Sequence, residues 1–248
     1  MRLSHLVLAA GLLCGAALMP ARADDKPKTG FVDRTFKNAD GNSSPYVVFV
    51  PHGYDGSKEY PVVLFLHGAG ETKNPKAKKE GKMPVEVGIG PAIKTREKSF
   101  PFIVVIPRAE GFGWGADTAN AKRALAMLDE VVKEYKVDRK RQYLTGLSMG
   151  GMGTWSVAAA HPDRWAAIVP ICGPGDAATA EKIKDIPCWG FVGTEDRLAT
   201  GMRAMIEALE KAGGKPRFSE YKWVGHDSWD PAYATNELYT WMLSQSKK

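Results

Sequence analysis

One serine of this sequence stands where a nucleophile is commonly held for attack. Ser148 lies in the stretch GLSMG, between Gly146 and Gly150, after the strand-like segment RQYLT and before a segment of helical composition. Gly-x-Ser-x-Gly between a strand and a helix is typical of a nucleophile elbow, in which the serine is strained and larger neighbours would collide. The pattern predicts a catalytic Ser148; the alternative is a close-packed turn with an incidental serine.

A serine hydroxyl is a poor nucleophile until a base takes its proton. His226 follows the last strand-like segment, and this position C-terminal to the serine is the one that the chain order Ser–Asp–His requires. A purely structural His226 is the alternative. The other histidines are placed less well, since His67 is expected to brace a loop, His52 lies in a turn and His161 ends a helix.

The base in turn needs a carboxylate that fixes its tautomer and stabilises the imidazolium. Glu195 and Asp196 stand in GTEDR directly after a buried strand, between the serine and the histidine along the chain. Asp196 lies one residue further into the loop and is the predicted acid. Glu195 and Asp176 are the alternatives.

A tetrahedral intermediate also needs fixed N–H donors for its oxyanion, each typically worth roughly 10²–10³-fold in rate. The backbone N–H of Met149, directly after the nucleophile, is one predicted donor. The second is expected in the turn HGAG, where Ala69 is the first choice and Gly70 the next. The alternative is an ordinary glycine-rich turn between a strand and a loop.

Alternating strand-like and helix-like segments must position these residues. PVVLFLHG and PFIVVIP are continuous apolar runs, as expected of strands that are buried on both faces of a sheet. From residue 61 onward strands and helices alternate without a repeat or linker. This predicts an α/β fold with a mostly parallel sheet of about eight strands and helices on both faces. Right-handed crossovers then place the functional loops at the carboxyl ends of the strands.

Residues 1–23 have the layout of a secretory signal peptide. Arg2 precedes an apolar stretch too short to span a bilayer comfortably, and small residues end at Ala23, the predicted cleavage site. The sequence therefore predicts an exported protein, periplasmic or secreted, with one catalytic domain over residues 24–248. Acylation of Cys14 as a lipoprotein is the weaker alternative, because bulky leucines precede that cysteine.

Charge and hydropathy argue against nucleic-acid binding and membrane insertion. The formal net charge of +6 falls to +4 without the two arginines of the signal peptide, and much of the excess lies in the lysine-rich stretch 73–82. That stretch has no aromatic residues, which favours a solvated loop over a nucleic-acid interface.

Cys172 and Cys188 are predicted to be buried free thiols on neighbouring strands, roughly 15 Å apart and beyond disulfide reach.

Several segments together resemble a known family. They are PVVLFLHGAGE, VGIGP, PFIVVIPR, KVDRKRQYLTGLSMGGMGTW, HPDRWAAIVPICGPGD, GFVGTED and GHDSWDPAY, and they cover almost all of residues 24–248. On these segments the chain is similar to the α/β-hydrolases, and within them to exported esterases of the poly(3-hydroxybutyrate)-depolymerase-like and prolyl-oligopeptidase-like group. The resemblance implies a Ser148–Asp196–His226 triad and a two-donor oxyanion hole. The acid loop departs from many relatives, which have a histidine before the glycine of VGTED.

These residues predict a serine hydrolase that cleaves small or oligomeric carboxylic esters through an acyl-enzyme. No cofactor and no metal are expected, since no histidine, cysteine and glutamate cluster has ligand spacing. A prolyl-oligopeptidase-like peptidase ranks second, because residues 24–248 leave no room for the additional domain that restricts access in larger peptidases. A non-catalytic polymer-binding protein ranks last.

Three tryptophans complete the predicted site. Trp114 and Gly70 are candidate substrate-binding residues, and an exposed indole beside a cleft suits stacking on sugars or aromatic groups. For Trp229 packing and substrate contact are equally favoured, whereas Trp223 is expected to be packed in the core.

Overall fold

The computed structural model describes residues 27–73 and 83–247 of the chain. The signal peptide predicted for residues 1–23 and all but the first residue of the lysine-rich stretch 73–82 lie outside the described residues. Within the described part, every helix is too short or too polar to cross a membrane.

The described residues form a single sheet of eight strands. Their bounds are Gly30–Lys37 (β1), Ser43–Val50 (β2), Tyr60–Leu66 (β3), Ile103–Pro107 (β4), Val137–Leu147 (β5), Ala167–Ile171 (β6), Trp189–Gly193 (β7) and Arg217–Tyr221 (β8). The strand order is β1-β2-β4-β3-β5-β6-β7-β8. β2 pairs antiparallel with both β1 and β4, and all other neighbours are parallel. The predicted α/β-hydrolase sheet, mostly parallel and about eight strands wide, is confirmed.

Helices connect the strands and cover the sheet. The α-helices of the described part are Ile89–Lys94 (α1), Ala119–Glu134 (α2), Met149–Ala160 (α3), Ala180–Ile183 (α4), Ala199–Lys211 (α5), Trp229–Ala234 (α6) and Asn236–Ser244 (α7). All residues of β3, β4, β6 and β7 are buried, and successive side chains of a strand point to opposite faces. Both faces of the central sheet are therefore covered, which explains why these strands are continuously apolar in the sequence.

Thr118 and Ser228 occupy the N-cap positions of α2 and α6. The hydroxyl oxygen of Thr118 accepts from the N–H of Ala121, so Thr118 rather than the preceding Asp117 caps α2. The short helix α6, directly after His226, was not predicted, because its six residues include Pro231 and show no helical periodicity.

The parallel strands bring their carboxyl ends to one edge of the sheet. β3 lies between β4 and β5 in the sheet. The chain therefore continues from β3 to β4 on one side of it and then from β4 to β5 on the other side. A crevice forms at such a topological switch point in open α/β sheets. The loops after β5, β7 and β8, which contain the three residues of the predicted triad, all open at this edge.

The two cysteines of the described part are buried and free, as predicted. Cys188 precedes β7 and pairs with Ile168 near the start of β6, whereas Cys172 follows the end of β6. Cys172 lies four residues after Ile168, the partner of Cys188, so the two cysteines are about 13 Å apart along the strand direction at about 3.3 Å per residue. A disulfide cannot bridge this distance.

Candidate active site

Ser148 lies on a strained elbow between β5 and α3. Its φ of 52° and ψ of −115° fall in a region that glycine usually occupies. A Cβ at Gly146 would come within 2.3 Å of the Gly150 carbonyl oxygen, and a Cβ at Gly150 within 1.9 Å of the Leu66 carbonyl oxygen. The N–H of Ser148 donates to the carbonyl of Ile171 at 2.9 Å, which fastens the elbow to β6. The glycines therefore give the clearance that holds the serine at the end of the strand.

Ser148, His226 and Asp196 form one hydrogen-bonded chain. Nε2 of His226 lies 2.8 Å from Oγ of Ser148, and Nδ1 lies 2.7 Å from Oδ2 of Asp196. Because an ionised carboxylate only accepts, Nδ1 carries the proton, and the unprotonated Nε2 accepts the hydrogen bond of the serine hydroxyl. This is the tautomer that a general base needs.

The side chains of Asp196 and His226 differ in exposure. The side chain of Asp196 is fully buried, whereas that of His226 is 42% exposed. Oδ1 of Asp196 accepts from the N–H of Leu198 at 2.9 Å, so both carboxylate oxygens have a donor. Trp229 packs edge-to-face against the imidazole, with ring centroids 5.5 Å apart. The carboxylate is thus fixed in a dry position, while solvent reaches the imidazole.

The two alternative acids lie elsewhere. Glu195 is exposed, and its carboxylate accepts from the hydroxyl of Thr194 at 3.3 Å. Asp176 caps a short 3-10 turn by accepting from the N–H of Ala178. Within the described residues, neither carboxylate contacts His226.

The two turns that were predicted to supply oxyanion donors lie side by side. The start of α3 touches the end of β3, since Gly150 packs directly on the carbonyl of Leu66. Among the residues that the structure describes, no acceptor takes the N–H of Met149 or of Ala69. Ala69 and Gly70 are exposed, and a Cβ at Gly70 would meet no atom within 4 Å. Free N–H groups at adjoining turns suit a developing oxyanion.

His67 braces the second of these turns, as predicted. Its Nδ1–H donates to the carbonyl of Gly68 at 2.6 Å, and its Nε2 accepts from the N–H of Ala109 at 2.9 Å. Trp114 packs edge-to-face on the ring and donates its indole N–H to the carbonyl of His67 at 2.9 Å. Since Nε2 must accept, the imidazole of this arrangement is neutral.

This buried imidazole makes stability depend on pH. Burial lowers the pKa of His67 from 6.5 to about 4, against a smaller opposing effect of the Gly68 carbonyl. Below pH 6.5 the unfolded chain binds a proton that the folded protein accepts only near pH 4. Acidification through this window should therefore remove roughly 3 kcal/mol of the free energy of unfolding, with no further loss from this residue at lower pH.

Urea unfolding of the wild-type protein and of His67→Gln at pH 7 and pH 4.5 measures this effect. The variant is less stable at pH 7 but should lose less stability between the two values. An equal loss in both proteins would contradict the assignment, and NMR titration of the His67 ring gives a second readout.

The structure corrects two expectations about tryptophans. Trp114 is only 1% exposed. Gly153 packs against one side of it so closely that a Cβ at Gly153 would lie 2.3 Å from Cβ of Trp114, and His67 covers the other side. It is therefore not available to bind substrate. Trp223 is 76% exposed instead of packed in the core, and its φ of 64° lies in the left-handed region. Its N–H donates to the hydroxyl of Thr194 at 3.0 Å, which joins this turn to the acid loop.

Sequence reasoning missed one side chain at this site. Cys172 directly follows β6, the strand between those that lead to Ser148 and Asp196. Its sulfur lies within 4.8 Å of a carboxylate oxygen of Asp196 and a ring nitrogen of His226. No motif spacing marks this cysteine, but its place at the end of a buried strand puts it at the same sheet edge as the three predicted residues.

The chain is similar to known hydrolases in sequence and in structure. The profile of the prolyl oligopeptidase family matches residues 117–212. A bifunctional acetylxylan esterase/xylanase of Neocallimastix patriciarum is 34% identical over 107 residues, which cover 42% of this chain and 16% of that protein. A probable feruloyl esterase C of Aspergillus terreus is 27% identical over 136 residues, which cover 53% of this chain and 47% of that protein.

A solved structure of a thermostable esterase superposes with a TM-score of 0.77 and 32% identity, covering 87% of this chain and 63% of the other. The chain spans less than half the length of the two curated relatives described above. The resemblance that the sequence suggested is confirmed: the chain has the α/β-hydrolase fold and is similar to esterases and to prolyl-oligopeptidase-like proteins.

Proposed function

We propose that this α/β-hydrolase-fold protein is a serine hydrolase that cleaves carboxylic esters through an acyl-enzyme. The observation that carries the proposal is the hydrogen-bonded chain from Ser148 through His226 to the buried Asp196. The strained elbow adds support, because backbone strain of this kind is concentrated at functional sites.

In the acylation step, Ser148 attacks the ester carbonyl. Oγ forms a bond to the carbonyl carbon while its proton moves to Nε2 of His226, and Asp196 stabilises the resulting imidazolium through its hydrogen bond to Nδ1. The N–H groups of Met149 and Ala69 donate to the carbonyl oxygen as it becomes negative. Collapse of the intermediate breaks the bond to the alcohol oxygen, which takes the proton from Nε2 and leaves.

Deacylation repeats these events with water in place of the serine. Water reaches the site directly, since the imidazole is partly exposed. His226 takes a proton from the attacking water, and the acid is released as Ser148 regains its proton. The imidazole acts as a base only in its neutral form.

An ester preference over a peptide preference is supported by the similar proteins, which include acetylxylan and feruloyl esterases. A peptidase is the second candidate, since the prolyl oligopeptidase profile matches residues 117–212. Turnover of an ester and an amide with the same acyl group separates the two. The proposal expects the ester to be hydrolysed with much the larger kcat/KM; comparable values would favour the peptidase.

Two exposed aromatic side chains suggest how a larger ester is held. Trp223 lies on the loop after β8, and Phe112, which is 78% exposed, lies on the loop after β4. β4 and β8 are on opposite sides of β5, about 10 and 14 Å from it at the usual strand spacing. The two rings therefore stand on loops at either side of Ser148, as an extended substrate with a central ester would require.

Trp223→Ala is expected to reduce selectivity for large esters. Loss of one aromatic contact, worth about 0.5–1.5 kcal/mol, should lower the ratio of kcat/KM for a feruloylated oligosaccharide to kcat/KM for a short aryl ester by roughly 3- to 10-fold. Trp165→Phe is a matched control, because Trp165 is buried away from this edge, before β6. An unchanged ratio in Trp223→Ala would remove Trp223 from the substrate site.

We also propose that the protein is exported and that cleavage near Ala23 leaves one catalytic domain, on the strength of the apolar stretch and the small residues at that position. N-terminal sequencing of the protein from the periplasm or medium should begin near Asp24. An intact N-terminus on exported protein would contradict this.

A further inference from the structure

Three side chains at the same sheet edge have the chemistry of metal ligands. Sγ of Cys172, a carboxylate oxygen of Asp196 and a ring nitrogen of His226 all lie within 4.8 Å of one another. Thiolate, carboxylate and imidazole are the ligands that zinc takes in proteins. The three residues are far apart in the sequence and are joined only by the order β5-β6-β7-β8 of the sheet.

Cys172 is held rigidly in this place. It is completely buried, its φ of 41° is in the left-handed region, and its N–H donates to the carbonyl of Phe191 at 2.8 Å. Burial raises the pKa of its thiol to about 12, and the charge of Asp196 acts in the same direction, while the amide of Ser148 and the hydroxyl of Ser228 oppose it. The sulfur lies beside the carboxylate of Asp196 and the ring of His226.

A neighbouring hydroxyl adds a fourth polar atom, an oxygen, to this cluster. Ser228 is completely buried, and its hydroxyl lies within hydrogen-bonding reach of the thiol of Cys172. This oxygen lies on the Cys172 side of the cluster, where it acts on the thiol.

We propose that a thiophilic divalent cation, with Zn²⁺ as the biological example, binds to Cys172, Asp196 and His226 and switches the hydrolase off. Bond lengths of about 2.0–2.3 Å and tetrahedral angles place zinc ligand atoms roughly 3.4–3.6 Å apart. Side-chain movements of about 1 Å bring the cluster to that spacing. Ser228 Oγ or a water fills the fourth position.

Binding is incompatible with catalysis whichever ring nitrogen is used. If the metal takes Nε2, the lone pair that accepts the Ser148 proton is occupied. If it takes Nδ1, the ring proton moves to Nε2 and the hydrogen bond to Asp196 is lost. In both cases the thiol releases its proton to water when the sulfur binds. Metal binding rests on the geometry of the cluster, and its inhibitory effect rests on the proposed function.

Cobalt absorption tests binding without using activity. Ser148→Ala keeps all the proposed ligands, and Co²⁺ should give it a thiolate-to-cobalt charge-transfer band at a stoichiometry of one. The band should vanish in Ser148→Ala/Cys172→Ala and persist in Ser148→Ala/Cys188→Ala, because Cys188, the other buried thiol of the described residues, lies just before β7. Absence of the band from Ser148→Ala would overturn the proposal.

Ester hydrolysis tests the consequence. Zn²⁺ should inhibit the wild-type protein and Cys188→Ala alike, and a chelator should restore each rate. Each rate is expressed relative to the zinc-free rate of the same protein. Cys172→Ala should then need at least about 10-fold more Zn²⁺ for half inhibition than the wild-type protein, since loss of even a group that only hydrogen-bonds to a metal ligand typically weakens a metal site by about 10–100-fold. Equal sensitivity of Cys172→Ala and wild type would refute the inference. A cobalt band in a protein without esterase activity would refute the proposed function alone.

Discussion

Ser148→Ala is expected to lower kcat for a short p-nitrophenyl ester by roughly 10⁴- to 10⁶-fold. The substitution removes the only atom that forms the acyl-enzyme bond, while the backbone donors and the substrate contacts stay in place. Tm should change little, because among the described residues Oγ makes one hydrogen bond, to the partly exposed His226. Initial rates under saturating ester and thermal unfolding of the same preparations measure both quantities.

A second variant separates lost chemistry from a damaged fold. Ser148→Gly should be as inactive as Ser148→Ala. It should be about 1 kcal/mol more stable than Ser148→Ala, because glycine accepts the backbone conformation of the elbow without strain. Ser246→Ala, at an exposed serine near the chain end, is the control and should keep the wild-type rate. Activity of Ser148→Ala above about one per cent of wild type would rule out Ser148 as the nucleophile.

The sequence could predict those features that local patterns determine. The glycines around Ser148 are needed because carbonyl groups of β3 and α3 lie within 2.7 Å of where their side chains would be. Such crowding requires glycine at these positions, and this requirement can be recognised from the sequence alone. The apolar runs of β3 and β4 likewise follow from burial on both faces of the sheet, and parallel strands then bring the loops of Asp196 and His226 to the serine.

Side chains whose surroundings come from distant segments could not be placed in this way. An indole packs in a core or stacks on a ligand with equal ease, so composition alone does not decide between Trp114 and Trp223. Trp114 is buried by α3 and His67, while Trp223 is held outward by a hydrogen bond to the acid loop. Cys172 joins the cluster only through the strand order, and for that reason no sequence spacing indicated it.

Asp196→Asn is expected to lower kcat by about 10⁴-fold, although its shape is almost that of aspartate. In the wild-type protein Oδ1 accepts from the N–H of Leu198 and Oδ2 accepts from Nδ1–H of His226, so both positions require acceptors. Asparagine supplies one acceptor and one donor. If its oxygen remains on Leu198, its NH₂ group faces Nδ1 and favours the tautomer with the proton on Nε2, which cannot accept the proton of Ser148.

Glu195→Gln is the matched control for this change, since Glu195 is the adjacent carboxylate and the alternative acid. It is exposed and lacks any contact with His226 among the described residues, so the neutral amide should leave kcat within about a factor of two, as surface changes usually do. Steady-state kinetics of the two variants on one ester decide between the carboxylates. A large loss in Glu195→Gln with a small loss in Asp196→Asn would transfer the role of the acid to Glu195, whereas the reverse pattern is the one that the buried, doubly hydrogen-bonded carboxylate of Asp196 requires.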